Sequence, residues 1–233
     1  MSDLQTLKRL NYTIIKCKKC PRLSSYIRRV AKEKVKRFNN QKYWGKPLTG
    51  FGDINAKLLL VGLAPAAHGG NRTGRMFTGD SSGNWVAKVL YEIGFASKPT
   101  SERADDGFTL NDVYITATLR CAPPQNKPLK VELDNCAIFL KKEFDILKNV
   151  KVIICLGKVA FDSCCKLLHI KGYKFGHGKI IHHKQCTVIA SYHPSRQNTQ
   201  TGRLTWNQWL AIFLKAKEIL ASYETGSCNT HIQ

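Results

Sequence analysis

Long apolar runs are missing from this sequence, and their absence excludes a membrane-spanning protein. The longest such runs, at residues 57–67 and 150–155, fall well short of the roughly 18 residues that a transmembrane helix needs. Residues 1–20 contain no uninterrupted apolar segment ahead of a small-residue cleavage site, so no secretory signal is evident. We therefore expect a protein that works away from membranes, inside a prokaryotic-type cytoplasm.

Acidic residues are also scarce: 16 Asp and Glu stand against 37 Lys and Arg, which gives a formal net charge of +21. Such an excess predicts an acidic partner. Nucleic acid is the usual one, because each cation that neutralises a phosphate releases condensed counterions. Residues 16–47 hold twelve of the basic residues and one acid, Glu33. The alternative is a surface that favours lysine for solubility alone.

The sequence also lacks an even number of cysteines, since it contains nine. An odd number argues against a closed disulfide framework. Cys17 and Cys20 form a C-x2-C pair, and Cys121 and Cys136 are spaced C-x14-C. The first pair by itself can arise by chance, but four thiolates in two pairs indicate either a zinc site or an iron–sulfur cluster. The remaining cysteines are expected to be small buried hydrophobes or, for the last of them, part of a polar tail: Cys155, Cys164, Cys165, Cys186 and Cys228.

The chain alternates strand-like and helix-like segments, which predicts an α/β fold with a parallel sheet covered on both faces. We expect one domain over residues 1–224 and a disordered tail over residues 225–233. A basic helix is predicted at Pro21–Phe38. The predicted strands are Lys57–Leu63, Asp112–Ala117, Lys151–Cys155 and Cys186–Ser191, and the helices that follow them are Gly83–Ile93, Leu129–Leu147, Val159–Leu168 and Leu204–Tyr223.

The loops after the strands are the places to look for a site, because ligands of parallel sheets bind at the carboxyl ends of the strands. The first loop, residues 62–85, holds six glycines but neither G-x-x-x-x-G-K-[ST] nor G-x-G-x-x-G, so a nucleotide-binding loop is not favoured. The second, residues 118–128, is TLRCAPPQNKP. The loop after the fourth predicted strand, residues 191–203, is SYHPSRQNTQTGR. It places a histidine, a serine, an arginine and an asparagine close together.

These loops carry a family resemblance. GLAPA with NRTGRMFTGD, RCAPPQNKP and HPSRQN together resemble family 5, the B type, of the uracil-DNA glycosylase superfamily, over about residues 17–215. The resemblance implies a three-layer α/β sandwich with a central four-stranded parallel sheet. It also implies a [4Fe–4S] cluster and a monomeric base excision repair enzyme that removes uracil, and other damaged bases, from DNA. The implied cluster ligands are Cys17, Cys20, Cys121 and Cys136.

The resemblance also implies roles for individual residues. An enzyme that cleaves an N-glycosidic bond in DNA must flip the nucleotide into a pocket that stacks on the base and reads its edge. Phe77 matches the stacking aromatic, and a hydrogen-bond donor at His193 is placed to stabilise charge on the departing base. The implied catalytic residues are Asp80, Asn126 and His193, and the implied substrate-binding residues are Gly62, Ala64, Phe77, Ser195, Arg196 and Asn198.

Each of these residues also has an ordinary structural interpretation. Phe77 would be a core residue, Asn126 a turn residue after Pro-Pro, and His193 the end of a strand. Asp80 would cap the helix expected near Gly83.

One departure concerns the first loop, where Ala66 and Ala67 follow Pro65 and neither can activate water. The nearest carboxylate in the loop is Asp80, which matches an acidic position of the family. The alternative is a reaction that depends less on a strong nucleophile and more on stabilising the cationic sugar and the base anion. No lysine is obviously placed as a Schiff-base nucleophile, so we expect a glycosylase without strand-cleaving activity. The alternatives are a non-catalytic DNA-binding protein with a four-cysteine metal site as scaffold, and a phosphate-binding metabolic enzyme.

Overall fold

The computed structural model describes residues 2–184 and 186–225 and contains a six-stranded sheet. The strands are β1 Phe51–Gly52, β2 Leu58–Gly62, β3 Val113–Ala117, β4 Val152–Leu156, β5 Ile180–His182 and β6 Thr187–Ser191, in the spatial order β1-β3-β2-β4-β6-β5. The four central strands are parallel, as predicted. The expected tail after Glu224, with Cys228, lies outside the described residues except for Thr225.

The two edge strands pair antiparallel with their neighbours and extend the four-stranded sheet that was expected. They are short, two residues in β1 and three in β5. Segments of that length carry no readable alternation of apolar and polar residues, which is why the sequence did not indicate them.

The helices lie in the order expected between the strands, with three additions among the described residues. They are α1 Asp3–Ile15, α2 Pro21–Glu33, α3 Gly70–Thr73, α4 Ser81–Glu92, α5 Lys130–Ile146, α6 Lys158–Leu167, α7 Arg196–Gln200 and α8 Trp206–Glu224. The additions are α1 before the basic helix, and the short α3 and α7 in the loops after β2 and β6. Within the part of the chain that the structure describes, no helix is long and apolar enough to cross a bilayer.

The predicted basic helix Pro21–Phe38 is wrong in its last five residues. Helix α2 ends at Glu33 because Lys34 adopts φ +56° and leaves the helical conformation. The Lys34 ammonium then donates to the carbonyl of Asn39 at 2.8 Å, and residues 36–38 form a separate 3-10 turn. The basic segment, residues 21–38, is therefore a helix followed by a separate 3-10 turn.

The sheet separates two apolar cores, which confirms the three-layer arrangement. Leu59 and Val61 of β2 face a core built with helices α1, α2, α5 and α6. Leu58 and Leu60, one residue out of step, face a second core built with α4 and α8. Because both faces are covered, ligands can reach the sheet only at the ends of its strands.

A buried ion pair joins the sheet to α5. The guanidinium of Arg120, just after β3, donates to the carboxylate of Glu143 at 2.6 and 3.0 Å, and their side chains are 1% and 0% exposed. The same carboxylate accepts hydrogen bonds from the hydroxyl of Thr116 at 2.6 Å and from the backbone N–H of Gly50 at 3.3 Å. The pair therefore connects β3, α5 and the segment before β1.

We expect Glu143→Gln to lower the free energy of unfolding by about 3–5 kcal/mol, because it leaves the Arg120 charge buried without a counter-ion. Urea denaturation at neutral pH measures the loss. The matched control is Glu218→Gln, since that carboxylate is 68% exposed and pairs with Lys215 at the surface, where such pairs contribute about 1 kcal/mol or less. Equal losses for the two variants would contradict the prediction.

Candidate active site

A pocket of about 650 Å³ lies at the carboxyl ends of the central strands, where the covered sheet is open to ligands. The loop after β2, the start of α6 after β4, and the loop after β6 each form one wall. The predicted residues that line it are Ala64, Phe77, Asp80, Asn126, His193, Ser195 and Arg196. Seven of the nine residues expected in catalysis or substrate binding are thus brought to one cavity.

Phe77 is held in the pocket by a strained backbone and a close neighbour. Its φ of +47° is rare for a bulky side chain. Its ring lies so close to Gly62 that a Cβ atom there would be 2.7 Å from the ring carbon Cζ. Gly62 does not line the pocket but makes room beneath the ring. Strain of this kind persists only where surrounding contacts hold it in place.

A polar clamp beside Phe77 supplies those contacts. The buried guanidinium of Arg75 donates to the hydroxyl of Thr78 at 3.0 Å and to the carboxylate of Asp106 at 2.8 Å. Burial alone would raise the pKa of Asp106, but the hydrogen bonds from Arg75 and from three backbone N–H groups lower it well below its usual range. Asp106 therefore stays ionised, and the turn on both sides of Phe77 is fixed.

His193 faces Phe77 with its imidazole neutral. The two ring centroids are 6.0 Å apart at an interplanar angle of 32°. Burial lowers the pKa of His193 to about 4. Among the described residues, neither ring nitrogen has a hydrogen-bond partner, so a donor is available to a ligand.

The loop that carries His193 is anchored by Asn198. The Asn198 amide donates to the carbonyl of His193 at 2.8 Å, and its backbone N–H donates to the hydroxyl of Ser195, the N-cap of α7, at 3.3 Å. Asn198 does not line the pocket, and its hydrogen bonds position the neighbouring residues that do. Ser195 and the exposed Arg196 remain at the pocket wall.

Asp80 both caps a helix and lines the pocket. Its Oδ1 accepts from the N–H of Gly83 at 2.9 Å, so it caps α4. Its Oδ2 lies against Gly69, where a Cβ atom would be 1.8 Å away. Burial raises the pKa of Asp80, opposed by hydrogen bonds from the backbone N–H groups of Gly83 and Ser82. The capping carboxylate thus also faces the pocket.

Asn126 lies at the exposed rim in a second strained turn. It adopts φ +57°, and the preceding Gln125 adopts φ +54°. Asparagine tolerates this conformation better than most residues, whereas glutamine does not. Together with Phe77, they make three of the six non-glycine residues with positive φ in the described part of the chain, and all three line this pocket. Such strain is concentrated at functional sites.

The sequence analysis assigned no role to several polar residues of the pocket, among them Lys158 and Ser82. Lys158 begins α6 immediately after β4, so a reading of every loop after a strand would have found it. Its ammonium pairs with Asp162 at 2.5 Å and is largely exposed. The Ser82 hydroxyl donates to the carbonyl of Pro194 at 2.9 Å and ties α4 to the histidine loop, a contact that no local pattern reveals.

The four predicted cluster cysteines come together away from this pocket. Cys17 follows α1, Cys20 precedes α2, Cys121 follows β3 and Cys136 lies on α5. Burial, and then the charges of the other three, raise the pKa of Cys121. Burial raises the pKa of Cys136 to about 11. All four are free thiols.

Hydrogen bonds reach two of these four sulfur atoms. The described residues contain no group of three or more His, Cys, Asp or Glu that could hold a metal ion. The amide of Asn135 donates to the sulfur of Cys20 at 3.6 Å, and the backbone of Arg120 hydrogen-bonds to Cys136. Hydrogen bonds to sulfur are typical of iron–sulfur sites.

Comparison with known proteins gives a consistent result. Residues 49–216 match the model of the uracil DNA glycosylase superfamily. The chain is 43% identical to a type-5 uracil-DNA glycosylase of Pyrobaculum aerophilum over 192 residues, 82% of this chain and 84% of that protein. It is 43% identical to that of Thermus thermophilus over 212 residues, 89% and 95% of the two chains. A type-4 enzyme of Archaeoglobus fulgidus is 29% identical over 153 residues, 63% and 69%.

The neutral state of His193 predicts acid sensitivity. Between pH 6.5 and about 4 the unfolded chain binds a proton on this histidine and the folded chain does not, so stability falls as pH is lowered through that window. We expect His193→Gln to lose less stability than the parent protein between pH 7 and pH 5. Thermal unfolding at both pH values measures the difference. Parallel losses in the two proteins would show that His193 is not buried as a neutral ring.

Proposed function

Because the chain belongs to the uracil DNA glycosylase superfamily, we propose that it removes uracil from DNA by hydrolysing the N-glycosidic bond, in base excision repair. The observation that carries the proposal is the single pocket that gathers Phe77, Asp80, Asn126 and His193 at the carboxyl ends of the strands. The central parallel sheet and the helical layers are the fold of that superfamily. DNA as substrate accords with the net charge of +21 and with action inside the cell.

The reaction breaks the bond between the sugar C1′ and N1 of uracil. The hydroxyl of a water molecule is added to C1′, and the remaining proton of that water goes to the uracil anion to give neutral uracil. The flipped base would stack on Phe77, whose ring is fixed by Gly62 beneath it. His193 would donate its N–H to a uracil carbonyl oxygen and stabilise the charge that develops on the leaving base. Because its imidazole is already neutral, this donation needs no change of protonation state.

Asp80 and Asn126 would act on the sugar side. The amide of Asn126 can both donate to and accept from the base or the sugar. The Asp80 carboxylate would orient the attacking water or stabilise the cationic sugar, since Ala66 at the same wall can do neither. Arg196 would contact a phosphate or fill the space that the base leaves, and Ser195 would flank the flipped nucleotide.

Release of free uracil from uracil-containing DNA by the purified protein, without added cofactor, tests the proposal directly. A DNA-binding protein that uses its cysteines only as a scaffold would bind the duplex and release nothing. A phosphate-binding metabolic enzyme would bind mononucleotides with little dependence on salt.

Duplexes with hypoxanthine and other lesions would define the range of bases, and intact strands after base removal would support the expected lack of strand cleavage. The ammonium of Lys158, paired with Asp162, is consistent with that lack.

Asp80→Asn separates the catalytic role from the cap. Asparagine caps helices about as well as aspartate, so thermal stability should stay near that of the parent protein. Loss of the negative charge should slow single-turnover uracil excision at least about tenfold, which corresponds to about 1.4 kcal/mol of transition-state stabilisation. Asp53→Asn, at a carboxylate that accepts backbone N–H groups outside the pocket, is the control and should leave the rate unchanged. An unchanged rate in Asp80→Asn would reduce this residue to a cap.

A [4Fe–4S] cluster on Cys17, Cys20, Cys121 and Cys136 is part of the proposal. When bound, the cluster would supply a covalent link between the α1–α2 junction, the loop after β3, and α5. The residues fit it, since four free thiols converge from these segments and sulfur-directed hydrogen bonds surround them. The base-release steps above use none of these cysteines.

Iron and sulfide analysis of anaerobically purified protein tests the cluster, with about four of each expected per chain. Cys17→Ala should lose iron and melt at lower temperature, because the link between segments is lost. Cys165→Ala, at a cysteine outside the set, should keep its iron. Stoichiometric zinc without labile sulfide would contradict the assignment.

The basic helix α2 predicts a steep dependence of DNA affinity on salt. Arg28 and Arg29 are exposed on it, so reversing both charges to glutamate should weaken binding to all sequences alike and flatten the plot of log K against log salt. The same double reversal at Lys215 and Lys217 on α8, in the opposite helical layer, is the control. A plot for the parent protein that is already flat would contradict binding along the backbone.

A further inference from the structure

A second cavity of about 320 Å³ adjoins the active-site pocket, and the proposed mechanism does not use it. The two cavities share Asp80, Asn126 and Arg196 as a common wall. The far side of the second cavity is formed by the basic segment, through Tyr26 of α2 and Phe38 of the 3-10 turn. A ligand that extends from the first pocket by one nucleotide would enter it.

The Phe38 ring is held by a buried cation. The guanidinium carbon of Arg72 lies 3.9 Å from the ring centroid, and the Arg72 side chain is fixed by hydrogen bonds to the carbonyls of His68 and Gly79, both at 2.8 Å, and to the amide oxygen of Gln41 at 2.6 Å. Arg72 is only 7% exposed, so it cannot leave the ring for a ligand. The ring is therefore a rigid surface at the cavity wall.

Arg37 is an exposed cation of this cavity that contacts the Phe38 ring. Its guanidinium carbon lies 4.6 Å from the Phe38 centroid, and the residue is exposed. An exposed arginine can exchange a ring contact for a phosphate oxygen at little cost. The cavity thus offers two half-exposed aromatic rings inside and, in addition to the shared Arg196, the exposed cation of Arg37 at its mouth.

Aromatic rings interleaved with arginine are the means by which proteins hold unstacked nucleotides. The carboxylate of Asp80 in the shared wall disfavours a phosphate deep in the cavity but does not disfavour a neutral base. Flipping uracil also deprives its neighbour of a stacking partner, and a protein ring that replaces the partner lowers the cost of flipping.

We infer that the second cavity binds the base of a nucleotide next to the uracil on the same strand, stacked on Phe38 and Tyr26, with its phosphate on Arg37. This inference rests on the proposed function, because it places the uracil in the first pocket. The two cavities together would then hold the bases of two adjacent nucleotides. Single-stranded or locally melted DNA, in which the neighbour is free to unstack, becomes a favourable substrate.

Single-turnover excision from three single-stranded uracil oligonucleotides tests the inference. One is complete, and the others carry a tetrahydrofuran residue, which lacks a base, on the 5′ or the 3′ side of the uracil. The parent enzyme should need about tenfold more protein for half-maximal rate with one of the two modified strands. Phe38→Ala should need about tenfold more with the complete strand and show no further loss with that modified strand.

Two further variants control for folding and for general effects. Phe38→Trp keeps an aromatic face and should restore the concentration dependence of the parent enzyme. Tyr12→Ala removes an aromatic side chain that is 61% exposed on α1 and outside the cavity lining, and should behave as the parent. If the losses from the missing base and from Phe38→Ala multiply, or if neither modified strand affects the parent enzyme, the cavity holds no base. Failure of the parent enzyme to release uracil from any strand would overturn the proposed function itself.

Discussion

Arg120 and Glu143 form the interaction on which both functional regions depend. Arg120 stands between β3 and Cys121, and Glu143 lies on α5 two turns beyond Cys136. A charge pair without contact to water is stable only while its geometry is held and its remaining donors and acceptors are satisfied. Thr116 and Gly50 satisfy the oxygens of Glu143 here, whereas the Nε of Arg120 has no hydrogen-bond partner among the described residues. The pair therefore sets the distance between the thiols after β3 and those on α5, and fixes the start of the loop that ends at Asn126.

The pocket shows a second use of constraint, since its residues are held in conformations that are unfavourable on their own. Phe77 and Asn126 have positive φ, and His193 is half-buried with its ring nitrogens unpartnered among the described residues. Each cost is offset nearby: the Arg75–Asp106 clamp holds the turn of Phe77, and Asn198 holds the histidine loop. A site arranged in this way before the substrate arrives needs little reorganisation during the reaction.

The sequence predicts the strands and the loops after them well, because buried parallel strands are apolar throughout and their carboxyl ends are where ligands bind. The sequence does not predict features that depend on contacts between residues far apart in the chain. The roles of Gly62 beneath Phe77, and of Asn198 behind His193, follow from packing rather than from any motif. Helix α1 could have been found from its capping box, Ser2 with Gln5. The second cavity could not, since a break at Lys34 decides where Phe38 lies.

The two short edge strands have a consequence for how copies of this chain behave in a crowded solution. A sheet that ended at the long apolar strands β3 and β6 would present rows of unpaired backbone groups to any other chain. Here β1 covers β3 over two residues, and β5 covers β6 with a strand that runs into His183 and Lys184. Short strands and flanking polar or charged side chains are poor templates for a further strand. The shortness of these strands, which kept the sequence pattern from indicating them, thus also protects the sheet from pairing with strands of other chains.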